Sequence, residues 1–171
     1  MSKGMVHVYT GSGKGKTTAA LGLAIRAIGA GMKVYIGQFV KGMKYSELES
    51  LKTIENIKIE QHGLDCFING DPTEDDIASA REGLEKVKSI LQSGEYNLVI
   101  LDEANIATFY ELFSVDDLID VVDSRAEDVE VVITGRKASE EIIEYADLVT
   151  EMKEIKHYYQ QGVQAREGIE K

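Results

Sequence analysis

Residues 11–18 read GSGKGKTT. Gly11, Gly13 and Gly15 alternate with polar residues, which frees the backbone to turn its N–H groups toward one side, as an anion-binding loop requires. Lys16 and Thr17 follow at the spacing that lets a lysine reach phosphate oxygens and a hydroxyl ligate Mg²⁺ or Mn²⁺. Ser12, Lys14 and Thr18 complete the run and belong with it as candidate phosphate contacts. One position departs from the usual phosphate-loop pattern, which has a glycine where this chain has Thr10. The plain alternative is an ordinary glycine-rich turn. The chemistry the run offers is binding of a nucleotide polyphosphate together with a divalent cation.

Two further runs could complete that chemistry. In LVILDEAN an apolar stretch ends on Asp102 and Glu103, a carboxylate pair able to hold a metal directly or through water. The competing explanation is a helix start, where acids are favoured anyway. In VITGR another apolar stretch ends on Thr134, Gly135 and Arg136, and Arg136 is one of five arginines in the chain. A planar guanidinium suits a phosphate or a carboxylate, and a surface ion pair is the alternative. Gln38 and Lys41 lie at the end of a third apolar stretch and join the same rim by the same reasoning. His7, His62 and His157 show no spacing with Cys66 or with each other that resembles a metal site, and the position of His7 inside an apolar run favours packing.

These residues need elements to bring them together. Short apolar or β-branched runs at 5–9, 33–39, 57–61, 96–102, 129–134 and 147–152 read as strands, separated by amphipathic stretches of helical period. Thr73 with Asp76, and Ser114 with Asp117, have the spacing of capping boxes, each opening a helix. In the first of these helices Ile77, Ala80, Leu84, Val87 and Leu91 fall on one face. Alternation of strand and helix predicts a doubly wound α/β fold with a mainly parallel sheet, phosphate-loop NTPase-like (RecA-like), in a single domain spanning 1–171. In such a sheet the phosphate loop, Asp102–Glu103, Thr134–Arg136 and Gln38–Lys41 all lie at the carboxyl edge, where ligands of open parallel sheets bind. The stretch 41–70 is the least regular and is where a substrate-specific insertion would sit.

The whole-chain balance narrows the partners. Thirty acidic against 19 basic residues give a formal net charge of −11, a field that repels nucleic acid and acidic lipid surfaces. Strand-exchange and helicase roles, which need a basic groove, are disfavoured on the same ground. No run approaches the ~20 apolar residues of a membrane span. A lone cysteine cannot form an internal disulfide, and no secretory leader is visible, so a reducing cytoplasm is the expected setting.

The order and spacing of YTGSGKGKTTAALGLAIRAIGAG, VYIGQFVKG, LVILDEAN, VVITGR, ADLVTEMKEIKH and GVQAREGIE resemble the phosphate-loop type of ATP:corrinoid adenosyltransferase across nearly the whole chain. The resemblance implies transfer of the 5′-deoxyadenosyl group of ATP to the Co(I) of a reduced corrinoid, with triphosphate released. It implies that Lys16 and the loop amides bind phosphates, that Thr17 and Glu103 hold Mg²⁺, and that Asp102 supports the metal from behind. It implies a reductase that supplies Co(I), and a homodimer. Three departures stand out: fewer residues precede the first strand than in some members, tryptophan is absent, and no glycine occurs in ANIATFYELF. Members carry Phe and Trp near positions 64–67, where apolar rings help remove the lower cobalt ligand; here Phe67 is the candidate substitute, with core packing as its alternative. Phe109 and Tyr110 face either the corrinoid or the core. Two rival functions remain at this level, a small ATPase or kinase releasing ADP and a nucleotide sensor without turnover.

Overall fold

The computed structural model describes residues 3–42, 46–64 and 70–170. They form a six-stranded sheet in the order β3-β2-β4-β5-β1-β6, with every neighbouring pair parallel. The strands are β1 (Val6–Thr10), β2 (Val34–Phe39), β3 (Ile57–His62), β4 (Leu98–Asp102), β5 (Glu130–Thr134) and β6 (Leu148–Glu151). Between them run α1 (Lys16–Gly29), α2 (Ser46–Leu51), α3 (Glu74–Ser93), α4 (Ala104–Phe109), α5 (Val115–Asp123) and α6 (Glu140–Tyr145), followed by a 3₁₀ turn at Tyr158–Gln161.

The central strands β2 and β4 are buried at every position, as expected where helices cover both faces of a parallel sheet. One core layer joins Val8, Tyr35, Phe39, Leu101 and Ile133 to α3 and α5; the other packs Ile36, Ile100 and Val132 against Ala20, Ala24 and Ala27 of α1. Small residues on α1 let that helix lie close to the strands. Both capping boxes form: Thr73 and Asp76 satisfy each other's backbone N–H groups at the start of α3, as do Ser114 and Asp117 at α5. On α3 the inward face is Ala80, Gly83, Leu84, Val87 and Leu91, with Ile77 partly buried at its margin.

The strands match the six runs read from the sequence to within two residues at each end. The largest difference is at β4, where Tyr96 and Asn97 precede the ladder because the Asn97 N–H is taken by the Lys33 carbonyl, 2.9 Å away, in the connection to β2. The stretch 41–70 contains an element its composition did not announce, α2, which buries Leu48 and Leu51.

The candidate nucleotide site

At the end of β1 the chain turns through Gly11 (φ 97°) and Gly15 (φ 114°) before α1 begins at Lys16. Both angles lie in the left-handed region that glycine tolerates. Lys16 folds back over the loop: its ammonium donates to the Gly11 carbonyl at 2.8 Å and to the Gly13 carbonyl at 2.7 Å, and the residue is only 6% exposed. Burial, then the nearby Arg136 charge, press its pKa below the ordinary lysine value, with Glu103 and Asp102 acting in opposition. Ser12 and Thr18 are exposed at the loop surface.

Thr10, the departure from the loop pattern, has a structural reason. Its hydroxyl accepts a hydrogen bond from the Ala138 N–H at 3.3 Å, and its carbonyl accepts from the Met152 N–H at 2.8 Å. It thus ties β1 to the loop after β5 and to the end of β6. The segment leaving β6 forms the outer wall of the phosphate loop. Gly13 donates its N–H to the Met152 carbonyl at 2.6 Å, and a Cβ on Gly13 would sit 2.7 Å from that oxygen. This amide therefore braces the loop instead of facing an anion.

Asp102 is the hub. Its Oδ1 accepts from the Thr17 hydroxyl at 2.8 Å and from the Thr134 hydroxyl at 2.7 Å; its Oδ2 accepts from Lys41 Nζ at 2.7 Å and from Gln38 Nε2 at 3.2 Å. The carboxylate is 1% exposed, and four donors from three segments meet on it. Burial works against the Lys41 charge, yet the attraction of Asp102 and the hydrogen bond to it outweigh burial and raise its pKa. Gln61 donates to Gln38 Oε1 at 3.3 Å and extends the network to the edge strand.

Glu103 sits beside this hub in a left-handed backbone conformation (φ 60°), an uncommon geometry for a non-glycine residue and one found at functional positions. Its N–H donates to the Thr134 hydroxyl at 3.1 Å. The pKa of its carboxyl is raised by burial first and by Asp102 second, against the pull of Lys41, Lys16 and Arg136. Gly135 (φ 131°) makes room for it: a Cβ there would lie 3.0 Å from Asn105 Cβ and 3.3 Å from Glu103 Oε2. Arg136 is exposed beyond Gly135, with no ion pair among the described residues, and its charge reaches both Lys16 and Glu103.

These groups fit a magnesium nucleotide. Mg²⁺ keeps several waters and takes few protein ligands alongside phosphate oxygens. The Thr17 hydroxyl, with its proton committed to Asp102, presents its oxygen lone pairs, and Glu103 supplies a carboxylate with both oxygens free of protein donors among the described residues.

All the residues singled out in the phosphate loop, at Asp102–Glu103, at Thr134–Arg136 and at Gln38 and Lys41 thus gather at one edge of the sheet. Phe67 and Cys66 lie outside the described residues. Phe109 is 54% exposed at the end of α4, with the Lys137 ammonium 5.6 Å above its ring, whereas Tyr110 packs partly against the core. His7 pairs with Glu130 at 2.7 Å, a packing role within the sheet. Sequence reading undervalued Thr134, which links Asp102 to the Glu103 N–H, and did not detect the grip on Lys14 described below. The first could have been read from a hydroxyl at the end of β5; the second joins residues more than 140 positions apart and left no local signal.

A parallel sheet with a phosphate loop after its first strand and an acidic pair at the end of a nearby strand defines a phosphate-loop nucleotide-binding domain. In backbone the chain is similar to flagellar accessory protein FlaH from Methanocaldococcus jannaschii, with a TM-score of 0.60 over 88% of this chain and 72% of that one; at 12% identity the likeness is one of fold. Residues 2–170 match the model of the ATP:corrinoid adenosyltransferase BtuR/CobO/CobP family, and the chain belongs to that family. It is 37% identical to a corrinoid adenosyltransferase of Sinorhizobium sp., across 98% of this chain and 80% of that protein. It is 33% identical to one from Escherichia coli K12, across 98% and 86%.

Proposed function

We infer that the protein transfers the 5′-deoxyadenosyl group of ATP to the Co(I) centre of a reduced corrinoid. The supporting observation is the phosphate loop joined through Thr17 to Asp102, with Glu103 the next residue, in a chain of this family. Co(I) contributes an electron pair to the ribose 5′ carbon, the cobalt–carbon bond forms, and the bond from C5′ to the triphosphate oxygen breaks. The triphosphate takes that bonding pair, so the phosphate loop binds a leaving group. Such a displacement calls for an electrophile held at attack distance and for stabilisation of charge on the departing oxygen.

The residues divide this work. The Lys16 ammonium exchanges its loop carbonyls for phosphate oxygens, and the remaining loop amides with Arg136 spread the growing charge. The Thr17 hydroxyl and the Glu103 carboxylate would hold Mg²⁺, which would supply further neutralisation of the triphosphate. Asp102 fixes Thr17 in place, with Lys41 and Gln38 holding the opposite carboxylate oxygen. Co(I) and a lone cysteine both suit a reducing compartment such as the cytoplasm, and a reductase is the natural source of the corrinoid electrons. The chain acts as one domain, expected to pair as a homodimer. Anaerobic incubation with ATP, Mg²⁺ and cob(I)alamin tests the reading by the appearance of adenosylcobalamin.

A further inference from the structure

After β6 the chain returns to the phosphate loop and ends in a knot of polar groups around Lys14. The Lys14 ammonium donates to Glu170 Oε1 at 2.9 Å, to the Ile169 carbonyl at 3.1 Å and to the Tyr158 hydroxyl at 3.2 Å. The Tyr158 hydroxyl donates to the same Glu170 oxygen. Arg166 closes the far side, with Nη2 3.1 Å from Glu170 Oε1, Nε 3.2 Å from Oε2, its own backbone N–H 2.8 Å from Oε2, and its guanidinium 5.1 Å above the Tyr158 ring. Hydrogen bonds from Arg166, Tyr158 and Lys14 hold the Glu170 carboxyl well below the usual carboxylate range.

Apolar burial does little to hold this segment. Its 3₁₀ turn has no buried residue, and Ile155, Tyr159 and Ile169 are 85%, 66% and 57% exposed. The fastening is polar, and its anchor on the body is a lysine flanked by two phosphate-loop glycines and two residues from Lys16. The same segment braces Gly13 through Met152. Order in the segment and order in the loop are therefore coupled, and coupling is reciprocal.

We propose that Glu170, with Tyr158 and Arg166, is a positioning residue for the nucleotide site, acting through Lys14 to hold the phosphate loop in the shape that receives triphosphate. This rests on the reading that ATP occupies the loop. Lys14 is then a structural strut, with Lys16 as the phosphate-binding lysine.

The test is a double-mutant cycle on the full chain, reading the Kd of MgATP by calorimetry and kcat and KM for adenosyl transfer. Glu170→Gln weakens MgATP binding on the order of tenfold and raises KM to match, while kcat at saturating ATP stays within about twofold. Lys14→Met gives a similar loss, Lys14→Arg restores most of it, and the double variant is no worse than Lys14→Met alone. Tyr158→Phe, which keeps the ring, shows a smaller loss in the same direction. The nucleotide-free melting temperature of Glu170→Gln moves by only about 2 °C, since no core contact is lost. Unchanged ATP affinity in Glu170→Gln, or losses that multiply in the double variant, would overturn the proposal, the second by making Lys14 a phosphate ligand in its own right. A wild type that binds ATP but makes no organocobalt product contradicts the transferase reading and leaves the binding cycle decisive. A wild type that does not bind ATP overturns both.

Discussion

Glu103 carries two opposed demands. Its place next to Asp102, which holds Thr17, suits a metal-holding carboxylate, yet burial and the adjacent Asp102 raise its pKa and penalise its charge. For an acid raised in the folded state, the penalty is present above the folded pKa and fades as pH falls through it. Replacing Glu103 with Gln should therefore raise the melting temperature near neutral pH, with a gain that shrinks under acidic conditions, while transfer falls by at least about 10². In the wild type the acid limb of kcat/KM should lie above the ordinary glutamate range, and the pH profile checks this directly. A Gln variant that is no more stable at neutral pH would contradict this account of the residue. Lys16 poses a simpler case: Lys16→Ala should leave the sheet folded by circular dichroism and reduce transfer by about 10² or more, because among the described residues no other loop cation reaches the same two carbonyls. The candidate residues were legible because each ends an apolar run, and a parallel sheet sends all such ends to one edge. The pairings among them were not, since which donor reaches Asp102 depends on side-chain reach between strands. Thr134 and Lys41 are the examples, 32 and 61 residues away from it.

At the scale of elements, the segment after β6 is the feature that composition did not foretell. β1 and the phosphate loop accept it as an outer wall because Gly11 and Gly13 leave no side chain in its path. Gly13→Ala would place a methyl group 2.7 Å from a backbone oxygen that cannot yield without moving the wall. The expected outcome is a loss of about 1–3 kcal/mol in stability, read by denaturant unfolding, together with weaker MgATP binding. A substitution tolerated on both counts would show that the wall is not packed on the loop in solution. The capping boxes at α3 and α5 and the six strands could be read in advance because their signals are local: an acid three residues past a hydroxyl, or a short β-branched run. The helix α2 gave no such signal; SELESL is short and charged, and what stabilises it is the burial of Leu48 and Leu51, a tertiary contact.

On the scale of the molecule, a chain with a net charge of −11 needs local cations to hold a polyanion. Lys16 and Arg136 stand at the loop beside the Asp102–Lys41 pair. No described helix is long and apolar enough to cross a membrane. Family membership carries the transferase reading, and under that reading the phosphate loop serves a leaving group. The most direct test is an anaerobic reaction of the purified protein with Mg²⁺, ATP and chemically reduced cob(I)alamin, followed by absorbance for the cobalt–carbon bond and by phosphorus NMR for the phosphate product. Adenosylcobalamin with an equal amount of intact triphosphate is the predicted result; ADP and phosphate without organocobalt would contradict it and make the protein a hydrolase on this scaffold.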